Sequence, residues 1–200
     1  NVVFALQSAD EGEATIDLPV LTFTSANWDT AQTVTVTGVD DTLADGSQTT
    51  NITVSVNDGS SDNNFDALND QTYVATTTDN DTAAVTLSGT TATVTEASGG
   101  GNTATFTVVL GVQPVGNVVV DLTANDTTES SVSPASLTFT TGNWNSAQTV
   151  TITGADDNII DVDTQSTITV AVNAGSSEDN YDGVSPQNVT VTTTDDDSAT

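Results

Sequence analysis

Thr149-Val150-Thr151-Ile152-Thr153 alternates β-branched residues with a strict period of two, and so do Thr33-Val34-Thr35-Val36-Thr37 and Ile52-Thr53-Val54-Ser55-Val56. That period puts successive side chains on opposite faces of a pleated strand. β-branched residues suit such a half-buried surface, and threonine is the polar residue a strand tolerates best. High net charge and few aromatics (4% of residues) are marks of disorder. The alternation argues against it, and the chain reads as all-β. No apolar run approaches the roughly 18 residues of a membrane-spanning helix. No signal peptide is legible, so the chain reads as a mature form or a fragment.

Working outward from Thr149–Thr153, the sequence repeats. Residues 1–84 align without a gap to residues 117–200, an offset of 116. Asn1-Val2-Val3 matches Asn117-Val118-Val119, and Leu21-Thr22-Phe23-Thr24 matches Leu137-Thr138-Phe139-Thr140. Asn27-Trp28 matches Asn143-Trp144. About 39 of the 84 positions are identical, more than shared β composition supplies, and such self-similarity marks an array.

Each full copy reads as seven short strands separated by turn residues, the pattern of a β-sandwich. In the second copy strands A to G are expected at 84–96 (interrupted at Ser88-Gly89), 103–110, 117–123, 135–140, 147–154, 165–173 and 187–194. The first copy shows C to G only, at 1–7, 20–24, 32–38, 49–57 and 71–78. The expected organisation is an incomplete sandwich over 1–81, a complete one over 82–197, and the start of a following repeat or a tail at 198–200. Residues 85–116 have no counterpart in the first copy. The slot left by its B strand would expose apolar groups worth about 1.5–3 kcal/mol each when buried. It would also leave strand edges unpaired. Either the chain is cut from a longer tandem array, or another protomer supplies the strands.

Composition narrows the chemistry. The 200 residues include 28 Asp and Glu and no Lys, Arg or His, a formal charge of −28. There is no Cys and no Met. Without basic side chains there is no footprint for DNA or RNA, and anionic membranes are not expected partners. No Ser-His-Asp triad, thiol nucleophile or Schiff-base lysine is possible. Zinc sites of His and Cys are excluded, as are disulfides and side-chain salt bridges. Carboxylates, hydroxyls and amides remain, and these suit hard cations, above all Ca²⁺.

Strand parity gathers the acids. If successive strands run antiparallel, the A–B turn, the C–D loop, the E–F loop and the exit from G share one end. In the second copy those segments carry Glu96, Asp126, Asp156, Asp157, Asp161, Asp195, Asp196 and Asp197. In the first they carry Asp10, Asp40, Asp41, Asp45, Asp79 and Asp81. Two carboxylates about 4 Å apart repel by roughly 4 kcal/mol at an effective dielectric of 20. A bound cation is the natural neutraliser. Ca²⁺ takes six to eight oxygens in flexible geometry, whereas Mg²⁺ holds its waters. Solvated acidic loops are the plainer alternative.

In order along the second copy, Val94-Thr95-Glu96, Ala104-Thr105-Phe106-Thr107-Val108, Leu137-Thr138-Phe139, Thr149-Val150-Thr151-Ile152, Asp156-Asp157 and Asp195-Asp196-Asp197 resemble a Calx-beta domain. That family is an immunoglobulin-like, Ca²⁺-binding sandwich. The resemblance covers the second copy and the C-to-G part of the first. It implies calcium ligation by Glu96, Asp126, Asp156, Asp157, Asp161 and Asp195 to Asp197. The family carries further glutamates after the E–F aspartates, where this chain has Thr164 and Gln48. The first copy's terminal triplet is Asp79-Asn80-Asp81. Both departures lower the negative charge. The threonine-rich array with its Leu-Thr-Phe-Thr and Asn-Trp motifs also resembles large repetitive bacterial surface proteins and adhesins.

Trp28 and Trp144 follow strand D, opposite the acids; core or rim packing is expected of them, with a ligand platform as the alternative. Phe65 and Tyr181 fall in the F–G loop at the same end, where they are expected at the junction between sandwiches. Asn51, Asn80, Asn125 and Asn188 begin glycosylation sequons that abundant Asn and Thr also produce by chance. Paired carboxylates can hydrolyse glycosides, but many acids repeated in end loops, with no apolar pocket suggested, point away from an enzyme. The expected function is a structural module of an extracellular bacterial surface protein or filament. Calcium would stiffen it, and neighbouring repeats or protomers would be its partners. The alternative is an adhesin module that binds glycan or protein ligands.

Overall fold

The computed structural model describes residues 1–97, 102–160 and 162–198. Among them are strands and three short 3₁₀ turns, and no α-helix. The first copy runs β1 (Val2–Ser8), β2 (Ala14–Ile16), β3 (Val20–Phe23), β4 (Val36–Gly38), β5 (Leu43–Ala44), β6 (Gln48–Val56) and β7 (Gln71–Thr77). There follow β8 (Val85–Leu87), β9 (Thr91–Thr95), β10 (Thr103–Leu110), β11 (Gln113–Pro114) and β12 (Val118–Ala124). The chain ends through β13 (Ser130–Ser133), β14 (Ser136–Phe139), β15 (Gln148–Gly154), β16 (Thr164–Val172) and β17 (Gln187–Thr194). Two compact units result: Asn1–Asp41 with Asp45–Asn80, and Thr42–Ala44 with Asp81–Thr200.

The second unit is a β-sandwich of two sheets, ordered β13-β15-β10-β8 and β14-β12-β16-β17-β9. Its core is the inward half of each alternating strand: Phe106, Val108 and Leu110 of β10 against Val150, Ile152, Ile168 and Val170. Each such side chain contributes about 1.5–3 kcal/mol on burial. Strand A changes sheets at its interruption. β8 pairs antiparallel with β10 and β9 parallel with β17. Ser88 seals the step: its N–H donates to the Thr107 carbonyl at 3.0 Å, and its hydroxyl accepts from the Thr107 N–H at 2.8 Å.

The first unit has a four-stranded sheet, β3-β1-β6-β7, and a separate pair, β2-β4. Its register repeats that of the second unit at the 116 offset. Val2 faces Phe23 as Val118 faces Phe139, and Gln48 faces Thr77 as Thr164 faces Thr193.

The expected strand 32–38 is corrected to Val36–Gly38. In the second unit Thr103–Val108 of β10 supply the ladder partners of Gln148–Thr153. The first unit has no such strand, so Gln32–Thr35 leave the ladder. Tyr181 is a second correction. It lies fully buried in the core of its own unit, with its hydroxyl donating to the Val112 carbonyl at 2.5 Å. The tryptophans diverge too. Trp144 packs on the core and its carbonyl accepts from the Leu110 N–H at 3.1 Å, whereas Trp28 is 72% exposed.

Candidate metal centres at the sandwich ends

In the first unit the C–D segment is held against the end of the sheet by its backbone. The Glu13 carbonyl accepts from the Val39 N–H at 2.9 Å and from the Thr77 hydroxyl at 2.8 Å. This brings the glutamate to the E–F loop. One carboxylate oxygen from each of Glu13, Asp41 and Asp45 lies within 4.8 Å of the others. Asp79 joins from beyond β7, its Oδ2 accepting from the Gly46 N–H at 2.8 Å. Desolvation, then Asp45, Asp41, Asp10 and Asp79 in that order, push the Glu13 carboxyl above its ordinary 4.5. Asp10 also accepts from the Gly12 N–H at 2.9 Å. The Asp40 Oδ1 accepts from the Asn80 side chain, beside Asp79, at 3.0 Å. Asp81 belongs to the other unit.

The second unit repeats the scaffold. The Glu129 carbonyl accepts from the Ala155 N–H at 2.9 Å and the Thr193 hydroxyl at 3.2 Å. The Glu96 N–H donates to the Thr194 carbonyl at 3.1 Å, and the Glu96 side chain is buried. Asp195 begins the segment after β17. Its Oδ1 accepts from the Asp197 N–H at 2.8 Å. Desolvation, then Asp195, Asp196, Asp157 and Asp156, push the Asp197 carboxyl above its ordinary 3.8. The Asp197 Oδ2 is buried with no hydrogen-bond partner. Asp126 is differently engaged. Its Oδ1 takes the Thr128 hydroxyl at 2.6 Å and the Thr128 N–H at 3.0 Å, which hold its carboxyl below the usual range. Asp161 lies outside the described residues.

Glu13 and Glu129 are the participants the sequence reading missed. The signal was there: a glutamate three positions after Asp10 and after Asp126, retained across the repeat.

The donor set fits a hard cation. Ca²⁺ binds oxygens at 2.3–2.6 Å, so ligands on opposite sides of one ion are about 5 Å apart. The Glu13, Asp41 and Asp45 oxygens fall inside that span. The buried Asp197 Oδ2 has an acceptor's lone pairs and no donor to meet them, which a cation supplies.

No protein-family model matches the chain, and no curated protein matches it. Among solved structures, domains 4 and 5 of the S-layer protein SbsC share 18% identity, with 96% of this chain and 70% of that chain covered and a TM-score of 0.41. The apo-form Calx CBD1 domain shares 19%, covering 58% of this chain and 100% of that chain, with a TM-score of 0.42. The periplasmic chaperone SfaE shares 11%, covering 56% and 58%, with a TM-score of 0.44.

Proposed function

We propose that this chain is a non-enzymatic structural module of an extracellular bacterial surface array, and that calcium rigidifies the acidic end of each sandwich. The observation that carries the reading is the convergence of Glu13, Asp41, Asp45, Asp10 and Asp79 from three separated segments of a chain without a basic side chain. Glu13, Asp41 and Asp45 would hold the ion in the first unit. Glu96, Asp156, Asp157, Asp195 and Asp197 would do so in the second. When bound, the ion supplies positive charge that cancels repulsion and ties loops to strand ends. Thermal melting tests this. Calcium is expected to raise the melting temperature over chelator, and D41N with D45N to lose the first unit's share of the rise. Superimposable curves in calcium and chelator exclude the metal role.

A second reading, strand complementation, is favoured by a groove of about 520 Å³ in the first unit. Leu6, Leu21, Val34, Val36, Ile52 and Val54 line it. Their counterparts at the 116 offset, Leu122, Leu137, Val150, Ile152, Ile168 and Val170, are all in the buried core of the second unit, which Phe106, Val108 and Leu110 of β10 complete. A neighbouring hollow contains Phe23, Trp28 and Phe65. Their counterparts Phe139, Trp144 and Tyr181 are packed in the second unit. The missing counterpart of residues 85–116 therefore accounts for both hollows, and that favours complementation over a glycan platform. A peptide of residues 85–116, added to the intact chain, is expected to raise the first unit's melting temperature by about 5 °C or more. No shift at saturating peptide counts against complementation.

A further inference from the structure

The E–F loops of the two copies meet different fates. Asp40-Asp41-Thr42-Leu43-Ala44-Asp45 aligns with Asp156-Asp157-Asn158-Ile159-Ile160-Asp161, all three aspartates retained. In the first loop, Leu43 and Ala44 leave the unit that holds both their flanks and join the second compact unit. There β5 pairs in parallel with β11, Leu43 opposite Gln113 and Ala44 opposite Pro114. Ala44 is 2% exposed and belongs to the second unit's apolar core. In the second loop, the corresponding Ile159 and Ile160 are 62% and 57% exposed. Two adjacent isoleucines in water forgo about 1.5–3 kcal/mol each.

We propose that Ile159–Ile160 is a docking strand for a further copy of this repeat, and pairs with that copy's equivalent of Gln113–Pro114 as Leu43–Ala44 pairs within this chain. The occupant follows from the internal precedent: the same loop position, between the same aspartates, already finds β11 of the next copy in sequence. In every 200-residue molecule β11 is taken by its own β5. The partner assigned to Ile159–Ile160 is therefore the β11 equivalent of a further copy, which the test places after Thr200. The mode is strand addition to an exposed backbone edge, with main-chain hydrogen bonds for affinity and apolar burial for specificity. It rests on the array reading; the contact itself is backbone and hydrocarbon, but the Ile159 N–H donates to Asp157 Oδ1 at 2.7 Å, a proposed calcium ligand, so exchange is read both with and without calcium.

The test appends residues 85–200 after Thr200, which preserves the 116-residue spacing. Amide exchange is compared between the two-copy and three-copy chains, in chelator and in calcium. Exchange at Ile159 and Ile160 is expected to slow about tenfold or more in the three-copy chain, toward the behaviour of Leu43 and Ala44. I159S with I160S is expected to abolish that protection and, adding no charge beside Asp156 and Asp157, to leave the two-copy chain's melting unchanged. Unaltered exchange in a folded three-copy chain overturns the proposal. Protection already present in the two-copy chain and lost on dilution assigns the strand to a separate molecule, and also overturns it. A second measurement needs no added copy. L43I with A44I in the 200-residue chain is expected to keep β5 protected, and its expulsion into fast exchange overturns the fit of an Ile-Ile strand to this β11. Calcium dependence of melting is read separately, so failure of the metal role leaves this test interpretable.

Discussion

Gly154 ends β15 where the backbone of β9 passes over it. A Cβ there would sit 2.2 Å from the Thr95 carbonyl oxygen, a contact with main chain that cannot swing aside. Its counterpart Gly38 meets only the Thr77 side chain, the methyl nearest at 3.3 Å, since the first unit has no strand in the β9 position. G154A is therefore expected to cost at least the 1–3 kcal/mol typical of overpacking, about 5–10 °C in the second unit's melting. G38A is expected to change the isolated chain little. If a complementing peptide binds the first unit, G38A should weaken it, because the incoming strand would pass over that same carbon. Equal melting losses from the two variants would show that β9 does not impose the glycine. Tyr181 carries a different signature. Burial and the nearby Glu178 push its phenol up to about 12 from an ordinary 10. A raised folded value gives stability that is whole below pH 10 and lost as pH rises through 12, since the unfolded chain ionises first. Y181F removes that loss while costing about 1–2 kcal/mol for the hydrogen bond to Val112. Urea melts across pH 9 to 12 read both effects.

At the scale of elements, β10 decides the difference between the units. With it, Gln148–Gly154 is a seven-residue strand; without it, only Val36–Gly38 is. Amides of Gln32 to Val34 are expected to exchange much faster than those of Gln148 to Val150, and exchange mapped by mass spectrometry checks this. F106A should cost the second unit about 3–5 kcal/mol. The strands most legible in the sequence were those whose alternation carries the core. β10 and β17 occupy 103–110 and 187–194 as the period of two indicated. β13, Ser130–Ser133, was not legible, because its serines carry no apolar period and it is held by pairing with β15. β5 and β11 are two residues each, too short for any period, and exist only through their mutual pairing. The acidic ends were legible through parity, which places loops without knowing side-chain directions. Parity could not say that Asp126 closes an Asx turn onto Thr128, or that the Glu13 and Glu129 carbonyls are the hinge of each site.

For the whole molecule, a charge of −28 with no basic side chain makes the folded state sensitive to pH in a defined sense. Glu13 and Asp197 have carboxyls raised above 4.5 and 3.8 by desolvation and by neighbouring carboxylates. Groups raised on folding stabilise below their unfolded values, and that stability is lost as pH rises through the folded values. Asp17, Asp62 and Asp126 act oppositely. Hydrogen bonds from Thr35, Asn64 and Thr128 hold them below 3.8, so their contribution is present above that value and disappears in stronger acid. The metal-free protein is therefore expected to melt highest in mild acid and to lose stability as pH climbs past the ordinary carboxylate range toward neutrality. Calcium reverses the cause rather than the symptom, because a cation among the clustered oxygens favours their charged form. Sodium chloride screens only by its ionic atmosphere, about 10 Å at 0.1 M, and leaves close pairs largely unrelieved. Melting at pH 5 and pH 8, in chelator, sodium chloride and calcium, separates these terms. The expected result is a fall from pH 5 to pH 8 in chelator, a slightly smaller fall in sodium chloride, and a rise in calcium. If sodium chloride at matched ionic strength restores as much stability as calcium, the acids are a solvated surface and the ends of the sandwiches hold no specific ion.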